Sequence, residues 1–238
     1  MSALLRPGVA LLTLLLAIAF AVSPFVVMDF DGFDPNQFPI PQEDPPVQPA
    51  GYAFSIWGLI YLWLGGGMAW GLLRAPREGQ WLEMRAPLCG SLAVGAVWLA
   101  VAVASPVWAS VLIWVMLLSA LAALFIAPRY DVGWAAWPVG LYAGWLSAAS
   151  CVSLGLLAAG YGVMDQVTAA LVFVSLAIVL AVVVQAALRR VPTYGVAVIW
   201  ALVAVAVENW GVTPPVAYLA AGGAVFMLWP TVRAYQRK

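Results

Sequence analysis

Three aromatic residues, Phe54, Trp57 and Tyr61, stand where the chain leaves a proline-rich loop and enters a long apolar run, PAGYAFSIWGLIY at positions 49–61. Once helical, they fall at i, i+3 and i+7 and line one face just inside a membrane boundary. Such a face is either a packing seam or the wall of a pocket for a flat apolar molecule. Other chemistry is scarce. The 238 residues contain no histidine, which removes imidazole bases, proton shuttles, His-ligated haem and the usual zinc sites. Cys89 and Cys151 lie at different depths of two apolar runs, so they read as small buried side chains and not as a disulfide. With no nucleophile and base pair, metal cluster or phosphate-binding loop visible, the chain is not expected to be an enzyme.

The elements that must hold these rings follow from composition. At 65% hydrophobic and 8% charged residues, with mean hydropathy +1.00, the chain is an integral membrane protein. Its runs are continuous Leu, Val and Ala without strand alternation, so the fold class is all-α, a polytopic helical bundle of about eight spans. The spans are expected at residues 9–28, 51–73, 88–104, 107–127, 133–159, 167–188, 194–208 and from about 216 to the Trp229-Pro230 pair. Ala19-Phe20-Ala21 in the first run also fits a signal-peptidase site, but the run is longer than a usual signal core and reads as a retained helix. Gly65, Gly66 and Gly67 predict a tight helix crossing. In the fifth span Trp134, Trp137, Leu141 and Trp145 form one stripe, and Ser147, Ser150 and Cys151 form a second, small one. That small stripe reads as a helix contact, its hydroxyls bonding back to the preceding turn.

Between the first two spans, residues 29–50 hold five acidic residues, six prolines and no basic residue. This predicts an extended, solvated acidic segment with turns near Gly32 and Asn36; its oxygens lack the spacing of a calcium loop. If eight helices alternate, all ten basic residues collect on one side: Arg6, Arg74, Arg77, Arg85, Arg129, Arg189, Arg190, Arg233, Arg237 and Lys238. The other side receives only Asp29, Asp31, Asp34, Glu43, Asp44, Asp165 and Glu208. The positive-inside rule then places both termini in the cytoplasm, with residues 74–87 a polar cytoplasmic linker, as expected for a bacterial inner-membrane protein. No ionisable residue falls at mid-helix, which argues against an ion-coupled carrier; Glu208 reads as an interfacial residue reaching water.

The segment from Phe54 to Tyr61 resembles the entry to the second helix of the tryptophan-rich sensory protein family (TspO/MBR, the translocator protein or peripheral benzodiazepine receptor group). Trp98 and the Leu141-Tyr142-Ala143-Gly144-Trp145 segment are further similarities. Gly95 stands where that family's third helix usually has an Asn, and Ser153 where its fifth has one. Pro45-Pro46 and Pro49 remain of its Trp-x-Pro-Pro loop. The similarity covers residues 1–160, matching the family's five-helix bundle, and leaves residues 161–238 as three additional helices. It implies a bundle cavity for a flat hydrophobic ligand, a porphyrin-type, sterol-like or carotenoid-like molecule. Trp57, Tyr61, Trp98 and Trp145 are the matching positions for its aromatic walls, and Phe54, from the helical stripe, is the fifth expected ligand-binding residue.

The leading functional expectation is therefore a membrane sensor or regulator. Its partners would be the lipid bilayer, a small hydrophobic ligand, and a second copy or a larger membrane complex, with no nucleic acid. A permease for a hydrophobic solute and an accessory subunit are the alternatives.

Overall fold

The computed structural model describes residues 5–27, 32–188 and 190–236. Among them are eight α-helices and no strand: α1 Leu5–Val26, α2 Ile56–Arg74, α3 Gly79–Ala104, α4 Pro106–Phe125, α5 Ala136–Gly160, α6 Gln166–Ala187, α7 Pro192–Glu208 and α8 Pro214–Gln236. Seven are long and apolar enough to cross a bilayer, and α7, at 17 residues, is the short one. A multi-pass helical membrane bundle is the result. The expected end of the first span at Met28, and the charges at Asp29, Asp31, Arg189, Arg237 and Lys238, lie outside the described residues.

Local chemistry sets most boundaries. Ser105 caps α4, its hydroxyl accepting from Trp108 N at 3.4 Å, with Pro106 at the first helical position, so the apolar stretch breaks where the sequence predicts. Asp165 caps α6 by accepting from the amides of Val167 and Thr168 at 3.1 and 2.9 Å. The Thr168 hydroxyl and these amides hold its carboxyl below the usual carboxylate range.

Helix α5 is the axis of the bundle, buried along nearly its whole length and packed on α2, α4, α6 and α7. Small residues make this possible. A Cβ on Gly144 would coincide with the backbone carbonyl of Tyr194 in α7, and one on Gly140 would lie 2.7 Å from Thr193 Oγ1. The Ser147 hydroxyl donates back to Ala143 O at 2.9 Å and pairs with the Tyr194 hydroxyl at 2.8 Å, while Ser150 reaches across to Ile113 O of α4. Of the three consecutive glycines in α2, Gly67 makes the tight crossing, against the Trp134 carbonyl; nothing crowds Gly65. One apolar cluster runs from Phe20 of α1 to Met227 of α8.

Three expectations are corrected. The polar linker at 74–87 shrinks to 75–78, because α3 begins at Gly79 and carries Pro87 inside it. Trp81, Met84, Arg85 and Leu88 are buried at i, i+3, i+4 and i+7, and that seam outweighs the single backbone bond a helical proline removes. Arg85 is consequently not a solvated linker residue. Its guanidinium lies 5.0 Å over the Trp81 ring, and Nη1 donates to Ala75 O at 3.2 Å, the carbonyl at the C-cap of α2.

Second, residues Gly51–Ser55 form a tighter 3-10 turn ahead of α2, so Phe54 is not on the α-helical face with Trp57 and Tyr61. Two bonds from α7 draw this turn sideways: Trp200 Nε1 donates to Ala53 O at 2.9 Å and Ala50 N to Ala204 O at 3.2 Å. Third, residues 32–50 are not a solvated segment. Phe38, Gln42, Val47 and Ala50 are buried, and the loop is docked on the helix ends beneath it.

Loop 32–50 marks one end of the bundle, and the described basic residues mark the other. There Arg6 Nη1 donates to Arg77 O at 3.2 Å, Arg129 N to Gln80 Oε1 at 3.2 Å, and Trp137 Nε1 to Arg190 O at 3.2 Å. These bonds join the start of α1 and the turns before α3, α5 and α7, as alternating helices require.

Gly144→Ala should lower the thermal stability of the detergent-purified protein by about 1 to 3 kcal/mol, because a backbone carbonyl must move. Gly58→Ala, with open space at its Cβ, should leave stability unchanged or raise it. In a background lacking Cys89 and Cys151, Glu43→Cys and Gly79→Cys, both exposed, should react with an impermeant thiol reagent from opposite sides of the membrane. Labelling of both from one side would contradict the alternating arrangement.

Candidate functional site

Beneath loop 32–50 the helices leave a cavity of about 720 Å³, adjoining an apolar lobe of about 100 Å³. The larger volume lies in the range that holds small ligands. Phe54, Trp57, Tyr61, Trp98 and Trp145, drawn from the turn before α2 and from α2, α3 and α5, all line it. Trp57 and Tyr61, one helical turn apart, stack at 5.3 Å with an interplanar angle of 19°. Trp145 is set edge-on to Trp57 at 6.2 Å and to Phe54 at 5.8 Å. Trp98 is fixed by its indole N–H, which donates to Ala109 O at 2.8 Å, so its ring is held in place by the α3–α4 hairpin.

The rest of the Trp134 stripe goes elsewhere. Trp134, just before α5, stacks on Trp70 at 5.3 Å, and Trp137 sits edge-on to Trp63 at 6.4 Å. Those two rings zip α5 to α2 towards the arginine-bearing end, while Trp145 alone of that stripe's tryptophans reaches the cavity.

Two further rings, neither of them among the expected walls, complete the aromatic group. Phe20 of α1 lies edge-on to Tyr61 at 5.1 Å, to Trp57 at 5.6 Å and to Tyr142 at 5.7 Å. Gly95 leaves it room: a Cβ there would stand 2.9 Å from the Phe20 ring. The glycine that departs from the resembled family's Asn is thus the space that Phe20 fills. Tyr142, fully buried, pairs with the Ser91 hydroxyl at 2.9 Å and backs Phe20 and Trp57. The Leu141-to-Trp145 segment carried a signal for Tyr142, whereas Phe20 stood in an ordinary apolar run.

The loop forms the roof because helix ends need it. Helix C-termini expose carbonyls without intrahelical partners. Gln37 Nε2 donates to Val103 O at 2.7 Å and Ala102 O at 3.3 Å at the end of α3. Ile40 N donates to Gly160 O at 2.9 Å at the end of α5, and Asn209 Nδ2, at the end of α7, donates to Pro46 O at 2.9 Å. Phe38 packs against Gly160 and Val47 against Gly155, closing the seam. Asp34 shapes the first turn, accepting from Asn36 N at 2.8 Å.

The cavity's polar groups are few. Asp44 of the loop and Glu208 at the end of α7 stand at the mouth with Gln42 and Gln48, and no described lining residue is basic. Deeper in, Trp145 is 3% exposed and its indole N–H has no hydrogen-bond partner among the described residues. Among the same residues no group of three or more His, Cys, Asp or Glu side chains is placed to hold a metal ion. The arrangement suits stacking and edge contacts to a flat molecule.

A family model described as TSPO-like protein matches residues 10–232, a span that continues past residue 160 through α6 and α7 into α8. No curated protein and no solved structure matches the chain.

Gln37→Ala removes the loop's side-chain bond to the end of α3. It should raise hydrogen–deuterium exchange across residues 32–50 while leaving α6 and α8 unchanged; unaltered exchange in the loop would show that its other ties suffice.

Proposed function

The chain belongs to the TSPO-like protein family, and from that premise we propose that it is a membrane sensor or regulator binding a flat hydrophobic ligand under loop 32–50. The observation that carries this reading is the convergence of Phe54, Trp57, Tyr61, Trp98 and Trp145, with Phe20, on one cavity. Broad rings in offset and edge arrangements provide apolar area at low entropy cost. A porphyrin-type, sterol-like or carotenoid-like molecule fits such walls. The activity is binding and not catalysis.

Helices beyond residue 160 have a share in the site. Phe173 and Val174 of α6 and Leu202 and Val205 of α7 line the apolar lobe, so the unit to residue 160 supplies the rings and the added helices widen the space beside them. A ligand seated here touches the loop that is bonded to the ends of α3, α5 and α7. That connection gives binding a route to the exposed surface of the bundle, as a regulator needs. The arginine-bearing end is the cytoplasmic one by the positive-inside rule, and the loop faces outward.

The test is tryptophan fluorescence of the detergent-purified protein titrated with a porphyrin that carries no charged substituent. Saturable quenching is expected, and Trp57→Ala should weaken binding by about 1 to 3 kcal/mol. Trp229→Ala, an exposed ring under Arg233 at the far end of α8, should leave affinity unchanged. Equal affinity in the two variants, with Trp57→Ala merely less stable, would make the aromatic group a packing seam.

A further inference from the structure

The cavity under loop 32–50 is apolar in its walls but not neutral at its mouth. Its charged lining residues are two carboxylates, Asp44 and Glu208, and neither forms an ion pair or side-chain hydrogen bond with any described residue. The other polar side chains there are amides, and Gln42 is already committed. Its Nε2 donates to Ile40 O at 3.0 Å and its Oε1 accepts from Gln166 Nε2 at 3.3 Å.

Both carboxylates line the cavity from its loop end, Asp44 from the loop and Glu208 as the last residue of α7. Asn209, the residue after Glu208, donates to Pro46 O, two residues after Asp44. The nearest compensation is remote, because every described basic residue sits at the opposite end of the bundle or within the first turns of α3 there. Inside, the indole N–H of Trp145, like that of Trp57 and the hydroxyl of Tyr61, bonds no described residue and is not sealed from the cavity space, so it is open to a bound molecule.

We propose that this mouth selects a flat apolar ligand carrying a protonated amine over one carrying a carboxylate, the amine lying between Asp44 and Glu208 and the flat body among the aromatic walls. This rests on the reading of the cavity as a ligand site. An acceptor on the flat body answers the Trp145 N–H. Opposite charge at an apolar-walled mouth attracts with little screening, and like charge is turned away by the same field.

Three probes with one ring system separate the two readings: 1-pyrenylmethylamine, 1-methylpyrene and 1-pyrenecarboxylate, titrated by tryptophan quenching in an uncharged detergent at low salt. The amine should bind about tenfold more tightly than the carboxylate, with the neutral probe between them, and added salt should narrow the gap. The double variant Asp44→Asn, Glu208→Gln should abolish the preference while keeping the affinity for 1-methylpyrene. Asp44 has φ of 43°, a backbone conformation that Asn also adopts, so the turn is preserved. The double variant Glu78→Gln, Glu83→Gln, an equal change of net charge at the far end, should leave the preference intact.

If 1-methylpyrene does not bind, the ligand-site reading itself fails. If it binds and amine and carboxylate bind alike, the site stands and the charge selection is overturned. A preference that survives in the double variant overturns the assignment to these two carboxylates.

Discussion

Where α5 meets α7, the backbone carbonyl of Tyr194 occupies the space that any side chain at position 144 would need. In a bilayer the hydrophobic effect does not drive one helix onto another, so close backbone approach and interhelical hydrogen bonds must do it. Gly140 and Gly144 supply the approach, and the Ser147–Tyr194 hydroxyl pair and the Thr193 bond to Trp137 O, at 2.8 and 2.7 Å, supply the bonds. With α7 held this close, α5 becomes the buried axis, and its remaining faces are left for α2, α4 and α6. The other helices take their places around a fixed pair.

The same axis that packs tightly at one end opens at the other. Towards the arginine-bearing end, Trp134 and Trp137 of the segment entering α5 interlock with Trp70 and Trp63 of α2. Towards the loop, Phe20, Trp57, Tyr61 and Trp145 meet edge-on and at angles, with space left beside them. The space persists because the roof is fixed independently of the walls. Loop 32–50 is held by carbonyls at the ends of α3 and α5 and by Asn209 at the end of α7. Those carbonyls would stand unsatisfied near the edge of the hydrocarbon without a donor, so the loop's docking serves the helices as much as the cavity.

Charge is sorted by the same architecture. Described basic side chains gather at one end, and one of them, Arg85, is buried because its guanidinium caps α2 at Ala75 O and covers the Trp81 ring. Burial of Arg85 is offset in part by one backbone carbonyl and an aromatic face, while Nε and Nη2 have no hydrogen-bond partner among the described residues. The loop end keeps carboxylates alone among its described charges, which gives the cavity mouth its sign.

The sequence by itself determined that this is a helical membrane bundle, how many helices it has, and where Ser105-Pro106 divides two of them. These depend on composition, apolar run length and capping, which are local quantities. It also named Phe54, Trp57 and Tyr61 through their helical spacing, and Trp98 and Trp145 through resemblance to family positions, with no measure of distance between the two sets. Only the tertiary structure decided that those five face one cavity, that Phe20 joins them through the space at Gly95, and that Trp134 and Trp137 do not. A helical period says which residues share a face but not which neighbour that face meets. The start of α3 and the turn at Gly51–Ser55 were misread for a related reason. Polar content and helical spacing favoured a linker and a continuous helix, whereas burial of Trp81, Met84 and Arg85, and the bonds from α7 to residues 50–53, are contacts between segments far apart in the chain. The docking of loop 32–50 belongs with them: its prolines and acids describe a solvated segment until the open carbonyls at the ends of α3 and α5, and the Asn209 amide at the end of α7, are brought beneath it.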